Sequence, residues 1–163
     1  MPKYVRFAAT FLEVVLAVSI FGADLRTMKD PAKVADVFPA SAKVRLLNVW
    51  ATWCIPCVLE MPDLRAIDEQ FGAELAVAGV SLDDMIPGAK PETVVNFLDR
   101  YRIKFPNVYY TGNLDALGER LDFDGEIPIT IVYDAKGRER WRHQGRIDGD
   151  ETIARLRELL QSK

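Results

Sequence analysis

One alternation of segments restricts the fold of this chain more than any other feature. Val44 to Trp50 (VRLLNVW) is a mostly apolar run with strand character, Pro56 to Phe71 carries a helical pattern, and Leu75 to Leu82 (LAVAGVSL) is a second run of the buried-strand type. A strand, helix, strand unit requires parallel strands joined by a right-handed crossover, because a twisted strand feeding a right-handed helix packs back onto its sheet only that way. Farther on the grammar changes. Ile127 to Tyr133 (IPITIVY), the turn Asp134 to Gly137 and Arg138 to His143 (RERWRH) read as an antiparallel hairpin, since the turn is too short for a crossover.

Between these units the pattern is simpler. Asp83 to Lys90 is a loop with Pro87 and Gly88, and Pro91 to Tyr101 is a helix with Val94, Val95, Phe97 and Leu98 on its apolar side. Asn107 to Tyr110 reads as a short strand and Leu114 to Leu121 as a small helix. Asp150 is placed to cap a last helix whose Ile153, Leu156, Leu159 and Leu160 form one stripe. Residues 24–42, with Pro31 and Pro39, show no sustained period and read as a lead-in holding at most one short element. The 163 residues are 49% hydrophobic and 28% charged, the composition of one ordinary globular domain. A net charge of −3 gives no overall electrostatic reason to bind nucleic acid or an anionic membrane surface.

Residues 1–23 have the outline of a secretory signal or an N-terminal membrane anchor. Lys3 and Arg6 precede an apolar stretch, residues 7–23, interrupted by Thr10, Glu13 and Ser19. Glu13 splits the run, and cleavage after Ala23 would put Phe21 where a small residue is wanted. Membrane attachment through residues 7–23 would use the lower end of the roughly 17–25 residues a span needs. The alternative is an amphipathic N-terminal helix of a cytosolic protein.

Only two cysteines occur, Cys54 and Cys57, with one histidine, His143. A multi-disulfide scaffold is impossible and a four-coordinate zinc site lacks ligands. Trp53-Cys54-Ile55-Pro56-Cys57 falls where the first core strand ends and a helix begins. A thiol there faces unpaired backbone N–H groups and the positive end of the helix dipole, both of which favour thiolate, so Cys54 is the candidate nucleophile. Pro56 is tolerated in the first turn, and Cys57, one turn on, is the candidate resolving thiol. A purely structural bridge is a poor account of the pair, because so short a loop removes little entropy from the unfolded chain. Attachment of a c-type haem would need His where Val58 stands. Cu(I) held by two thiolates is permitted by soft-ligand preference. The P-x-x-x-T-x-x-C arrangement of a peroxidatic cysteine is absent.

The stretches LLNVWATWCIPCVLEMP, VAGVSLDD and GEIPITIVYDAKG, in that order, resemble the thioredoxin-fold reductases of the ResA/TlpA group. The resemblance covers roughly residues 43–160 and implies a thioredoxin-like domain over 43–163, an α/β fold with a mixed central sheet and flanking helices. It also implies an exposed dithiol/disulfide beside a cis-proline loop. Pro128 matches that proline, and a cis Ile127–Pro128 bond would turn the backbone toward the cysteines to receive an extended substrate peptide. Trp53, Ile55, Pro56, Ile127 and Pro128 are thus the expected docking residues. Asn48 stands where ordinary cytosolic thioredoxins have a buried Asp. Glu60, three residues after Cys57 and so on the same helical face, matches a Glu associated with proton transfer; a plain acid in a first helical turn is the other reading. Asp83 and Asp84 match the family segment but suggest only a loop role. Pro62 should bend the long helix. Arg138, Arg140 and Arg142 should share one face of the last strand, with Glu139, Trp141 and His143 on the other, as a basic docking strip or as charges protecting a sheet edge.

The function this implies is thiol–disulfide exchange, reducing protein disulfides in the periplasm or on the outer face of the membrane, including apocytochromes c awaiting haem. It needs the Cys54–Cys57 disulfide, a thiol–disulfide electron donor, and no metal or other cofactor. The competing readings are a thioredoxin-fold peptide-binding or assembly module and a Cu(I) carrier.

Overall fold

The computed structural model describes residues 22–161, so the signal or anchor reading of the N-terminus falls almost wholly outside the described residues. Six strands form one sheet: β1 (Leu25–Met28), β2 (Val44–Trp50), β3 (Leu75–Ser81), β4 (Asn107–Tyr110), β5 (Ile129–Asp134) and β6 (Glu139–Gln144). Four α-helices accompany them: α1 (Ile55–Phe71), α2 (Pro91–Tyr101), α3 (Leu114–Leu121) and α4 (Gly149–Gln161). The strand order is β1-β4-β3-β2-β5-β6. The first four in that order run parallel, and β5 and β6 are antiparallel to their neighbours, which is the mixed sheet of a thioredoxin fold.

β2 lies in the middle because both of its faces are apolar. Val44, Leu46 and Trp50 point into a core built with α1, α2 and α4 through Met61, Leu64, Val94, Leu98 and Leu156. Leu47 and Val49 point into a second core, with Leu117 and Leu121 of α3. The alternation of side chains along a strand thus assigns each residue to one of two layers, and helices cover both sides. At Gly79 on β3 a side chain is impossible: a Cβ would overlap Oδ1 of Asn107 and lie 2.7 Å from Nε1 of Trp50. Those two groups are hydrogen-bonded to each other at 3.0 Å across the missing side chain.

Three expectations need correction. The lead-in, expected to hold at most one short element, holds two. β1 pairs with β4 at the sheet edge, and Asp30 caps a 3-10 helix, Pro31–Val37, by accepting from the N–H of Ala32 at 3.0 Å. The last helix is capped by Asp148, which accepts from the Glu151 N–H at 2.9 Å; Asp150 lies inside the first turn. Arg138, Arg140 and Arg142, the first just ahead of β6 and the other two on it, do not share a face. A β-bulge leaves Arg140 as the extra residue between Trp141, opposite Val132, and Glu139, opposite Tyr133. Glu139 therefore sits beside Arg142 and bonds it at 2.6 Å, while Arg138 and Arg140 turn to Asp134 at 2.8 and 3.6 Å. These charges neutralise one another along an edge strand, as edge protection requires, and no free basic strip forms. α1 continues through Pro62 to Phe71.

Candidate active site

The carboxyl end of β2 delivers the chain into a tight turn, in which the Cys54 N–H donates to the Ala51 carbonyl at 3.2 Å. Cys54 is then the N-cap of α1, its carbonyl accepting from Val58 N–H at 3.0 Å and its Sγ receiving the Cys57 N–H at 3.3 Å. The sulfur occupies the position a serine or aspartate oxygen takes at other helix starts, so the first-turn N–H groups and the helix dipole would stabilise a thiolate there. Cys54 and Cys57 form a disulfide with Cα atoms 5.2 Å apart. Cys57 is fully buried; Cys54 keeps 6% of its surface open. Only one of the two sulfurs can therefore meet an incoming partner.

Asp83 fixes the turn that carries Cys54. Its buried carboxylate accepts from the Thr52 N–H at 3.1 Å, from the Thr52 hydroxyl, and from the Ser81 hydroxyl at 2.6 Å. Asp84 instead accepts from the Tyr109 hydroxyl at 3.3 Å. The sequence offered the two aspartates as an undifferentiated loop pair. The signal separating them is Ser81, whose hydroxyl at the strand end also receives the Asp83 N–H and turns that residue inward.

The Ile127–Pro128 bond is cis. It brings the Ile127 carbonyl oxygen to 3.7 Å from Sγ of Cys54, and Pro128 is buried beneath. The Pro128 carbonyl is occupied by the Gly145 N–H at 2.8 Å, whereas the Ile127 N–H has no hydrogen-bond partner among the described residues. Around the disulfide the surface is apolar: Trp53, Ile55 and Leu59 are 45%, 73% and 53% exposed, and Pro56 is exposed as well. Met85 and Ile86, just beyond Asp83, are exposed too. Leu59, Met85 and Ile86 escaped the sequence reading, because an apolar residue in a helix or beside a strand end is expected in the core.

Glu60 lies one turn beyond Cys57 with no exposed surface. Its Oε1 accepts from Nδ2 of Asn48 at 2.8 Å and its Oε2 from the Ile147 N–H at 3.0 Å. Burial pushes its pKa up from 4.5 to about 7, although both hydrogen bonds favour the ionised form. The carboxyl therefore keeps its proton to a higher pH than a free glutamate, one turn along α1 from Cys57. His143 is elsewhere, its Nε2 3.1 Å from the Arg146 carbonyl oxygen. Among the described residues no group of three or more His, Cys, Asp or Glu side chains is placed to hold a metal ion, and the copper reading gains no further ligand.

A redox disulfide at a helix start, faced by a cis-proline on a mixed sheet, defines a class: the thioredoxin-fold thiol–disulfide oxidoreductases. More particularly, the chain belongs to the AhpC/TSA family, whose sequence profile matches residues 23–138. It is 32% identical over 118 residues to the thioredoxin-like protein YneN of Bacillus subtilis, a match covering 72% of this chain and 65% of that protein. To the thiol:disulfide interchange protein DsbE of Vibrio cholerae it is 31% identical over 139 residues, covering 83% of this chain and 70% of the other. A thiol-disulfide isomerase from Corynebacterium glutamicum shares the fold at a TM-score of 0.64 and 24% identity, over 76% of this chain and 85% of that one.

Proposed function

We propose that this protein reduces disulfides of partner proteins in the cell envelope through its Cys54–Cys57 couple. The observation that carries the reading is the asymmetry of the pair: Cys54 at the helix start with an open edge, Cys57 sealed inside and followed by Glu60. In the reduced form, the Cys54 thiolate attacks one sulfur of a partner disulfide. A Cys54–partner bond forms, the partner bond breaks, and the other partner sulfur leaves as a thiolate that takes up a proton. Cys57 gives its proton to Glu60 and attacks Sγ of Cys54, closing the bridge present in the structure, and the second partner sulfur leaves as a thiolate that takes up a proton. Two electrons pass to the partner, and a thiol donor restores the dithiol.

Docking uses Trp53, Ile55 and Pro56 as apolar contacts and the backbone of Ile127, ahead of Pro128, as a short strand edge with an unpaired N–H. Export or N-terminal anchoring through residues 1–23 puts the site where disulfides persist; no helix among the described residues is long and apolar enough to cross a membrane. Recovery of the full-length protein, Met1 included, from the cytosol would refute that location.

The test is the reduction potential, read by equilibrating the couple in graded thiol/disulfide buffers and trapping free thiols. A value near thioredoxin's roughly −270 mV supports a reductant; one near roughly −120 mV makes the protein an oxidant. Failure to cycle would leave a peptide-binding module on a thioredoxin frame.

A further inference from the structure

Glu60 is sealed from solvent, yet a carboxyl that takes a proton in each cycle must also release one. A polar cleft of about 460 Å³ is lined by Asp63, Arg146, Ile147, Asp148, Gly149 and Asp150. Ile147 in its wall is the residue whose N–H binds Oε2 of Glu60. The preceding residue, Arg146, reaches Oδ2 of Asp63 at 3.6 Å, so two successive residues of the β6–α4 loop hold two carboxylates one turn apart on α1. The approach is close: a Cβ at Gly149 would lie 2.9 Å from Oδ1 of Asp63.

We propose that Asp63 and Arg146 are positioning residues whose ion pair, held beside the loop that binds Glu60, sets the proton equilibrium of Glu60. The inference rests on the reading that Glu60 takes the proton of Cys57. β2 and β5 present only the uncharged Asn48 and Thr130 to this network, and Cys57 is uncharged in the disulfide. α4 contributes Asp150 at the cleft rim, while its Glu151 is paired with Arg155 at 2.9 Å. Of the charges at this cleft, Asp63 opposes the ionisation of Glu60 and Arg146 favours it, while the Asp148 carboxylate is turned to the Glu151 N–H at 2.9 Å. Asp63 and Arg146 pull in opposite directions, so removing each in turn must move Glu60 in opposite directions.

The experiment titrates the Glu60 carboxyl by carbon NMR in the full, oxidised protein carrying Asp63→Asn or Arg146→Gln. Both side chains are partly exposed, so the fold should tolerate either change. Relative to a wild-type midpoint of about 7, the midpoint should fall in D63N and rise in R146Q, each by about half a pH unit or more. A shift of the same sign in both variants, or no shift in either, overturns the proposal; a merely structural pair would lower stability without opposite displacements. Glu60→Gln tests the underlying reading separately. If that variant leaves the pH profile of disulfide exchange unchanged, the proton role of Glu60 falls, while the NMR midpoints still decide whether Asp63 and Arg146 control its titration.

Discussion

Asn48 on β2 donates an amide hydrogen to Glu60 on α1 at 2.8 Å, and its Oδ1, equally buried, has no partner. The same Nδ2 also reaches Oγ1 of Thr130 at 3.1 Å. This orientation suits an ionised Glu60, which accepts only. A protonated Glu60 is served by the reverse one, with Oδ1 taking the carboxyl proton and the Thr130 hydroxyl free to donate to it. An Asp at position 48 would hold a second carboxylate against Glu60; Asn48 leaves Glu60 as the acid of this network.

Glu60 should make the folded protein less stable as pH rises. Its folded pKa of about 7 lies above the ordinary 4.5, so the native state binds more protons than the unfolded chain between those values, and stability falls across that window. The loss is on the order of 3 kcal/mol at 1.36 kcal/mol per pH unit. Urea unfolding of the oxidised protein at pH 5 and pH 8 measures it. In Glu60→Gln, which can pair with the idle Oδ1 of Asn48, most of the difference should vanish; a difference that persists would mean other groups produce it.

The parts legible in the sequence are those where burial imposes a period. β2, β3 and α2 announced themselves through apolar patterning, and β4 and α3 fell where the pattern placed them. β1 did not, because four residues at a sheet edge, half of them exposed, carry no alternation worth reading. The bulge at Arg140 was invisible, since a period of two gives no warning of an extra residue. At the site, the pairing of Cys54 with Cys57 and the cis bond before Pro128 were legible from chemistry and resemblance. The Ile147 N–H that holds Glu60 was not, because a backbone donor has no side-chain signature.

Asp83 should matter far more than its neighbour. Asp83→Ala strips the acceptor from the Thr52 N–H, the Thr52 hydroxyl and the Ser81 hydroxyl together. Leaving one buried and two half-buried donors unpaired costs about 2–4 kcal/mol, and the Cys54 turn loses its tether, so exchange should slow as well. Asp84→Ala, at an exposed residue, should stay within about 0.5 kcal/mol. Equal effects in the two variants, measured by urea unfolding, would contradict the assignment.

Gly79→Ala should be among the most damaging single-methyl additions. The new Cβ would lie 2.7 Å from Nε1 of Trp50 and would displace the Asn107 amide that Trp50 donates to. Overpacking and a broken buried hydrogen bond together should cost about 2–5 kcal/mol. A weakened near-UV signal from Trp50 with a lowered unfolding midpoint is expected. An unchanged midpoint would show that β3 and β4 separate more easily than their packing implies.

The apolar rim of the disulfide separates docking from chemistry. Ile55 and Leu59 are already exposed, so Ile55→Ser and Leu59→Ser should change folding stability by less than about 0.5 kcal/mol. Covering either side chain with a partner would contribute about 1–2 kcal/mol at roughly 25 cal/mol per Å² of apolar surface. Its loss should raise KM for a protein disulfide about five- to thirty-fold and leave kcat nearly unchanged. A small aromatic disulfide reagent reaches Cys54 without covering the rim, so its exchange rate should be the same in wild type and in both variants. If the small reagent slows as much as the protein substrate, the rim supports the reactivity of Cys54 itself and the docking role of Ile55 and Leu59 is lost.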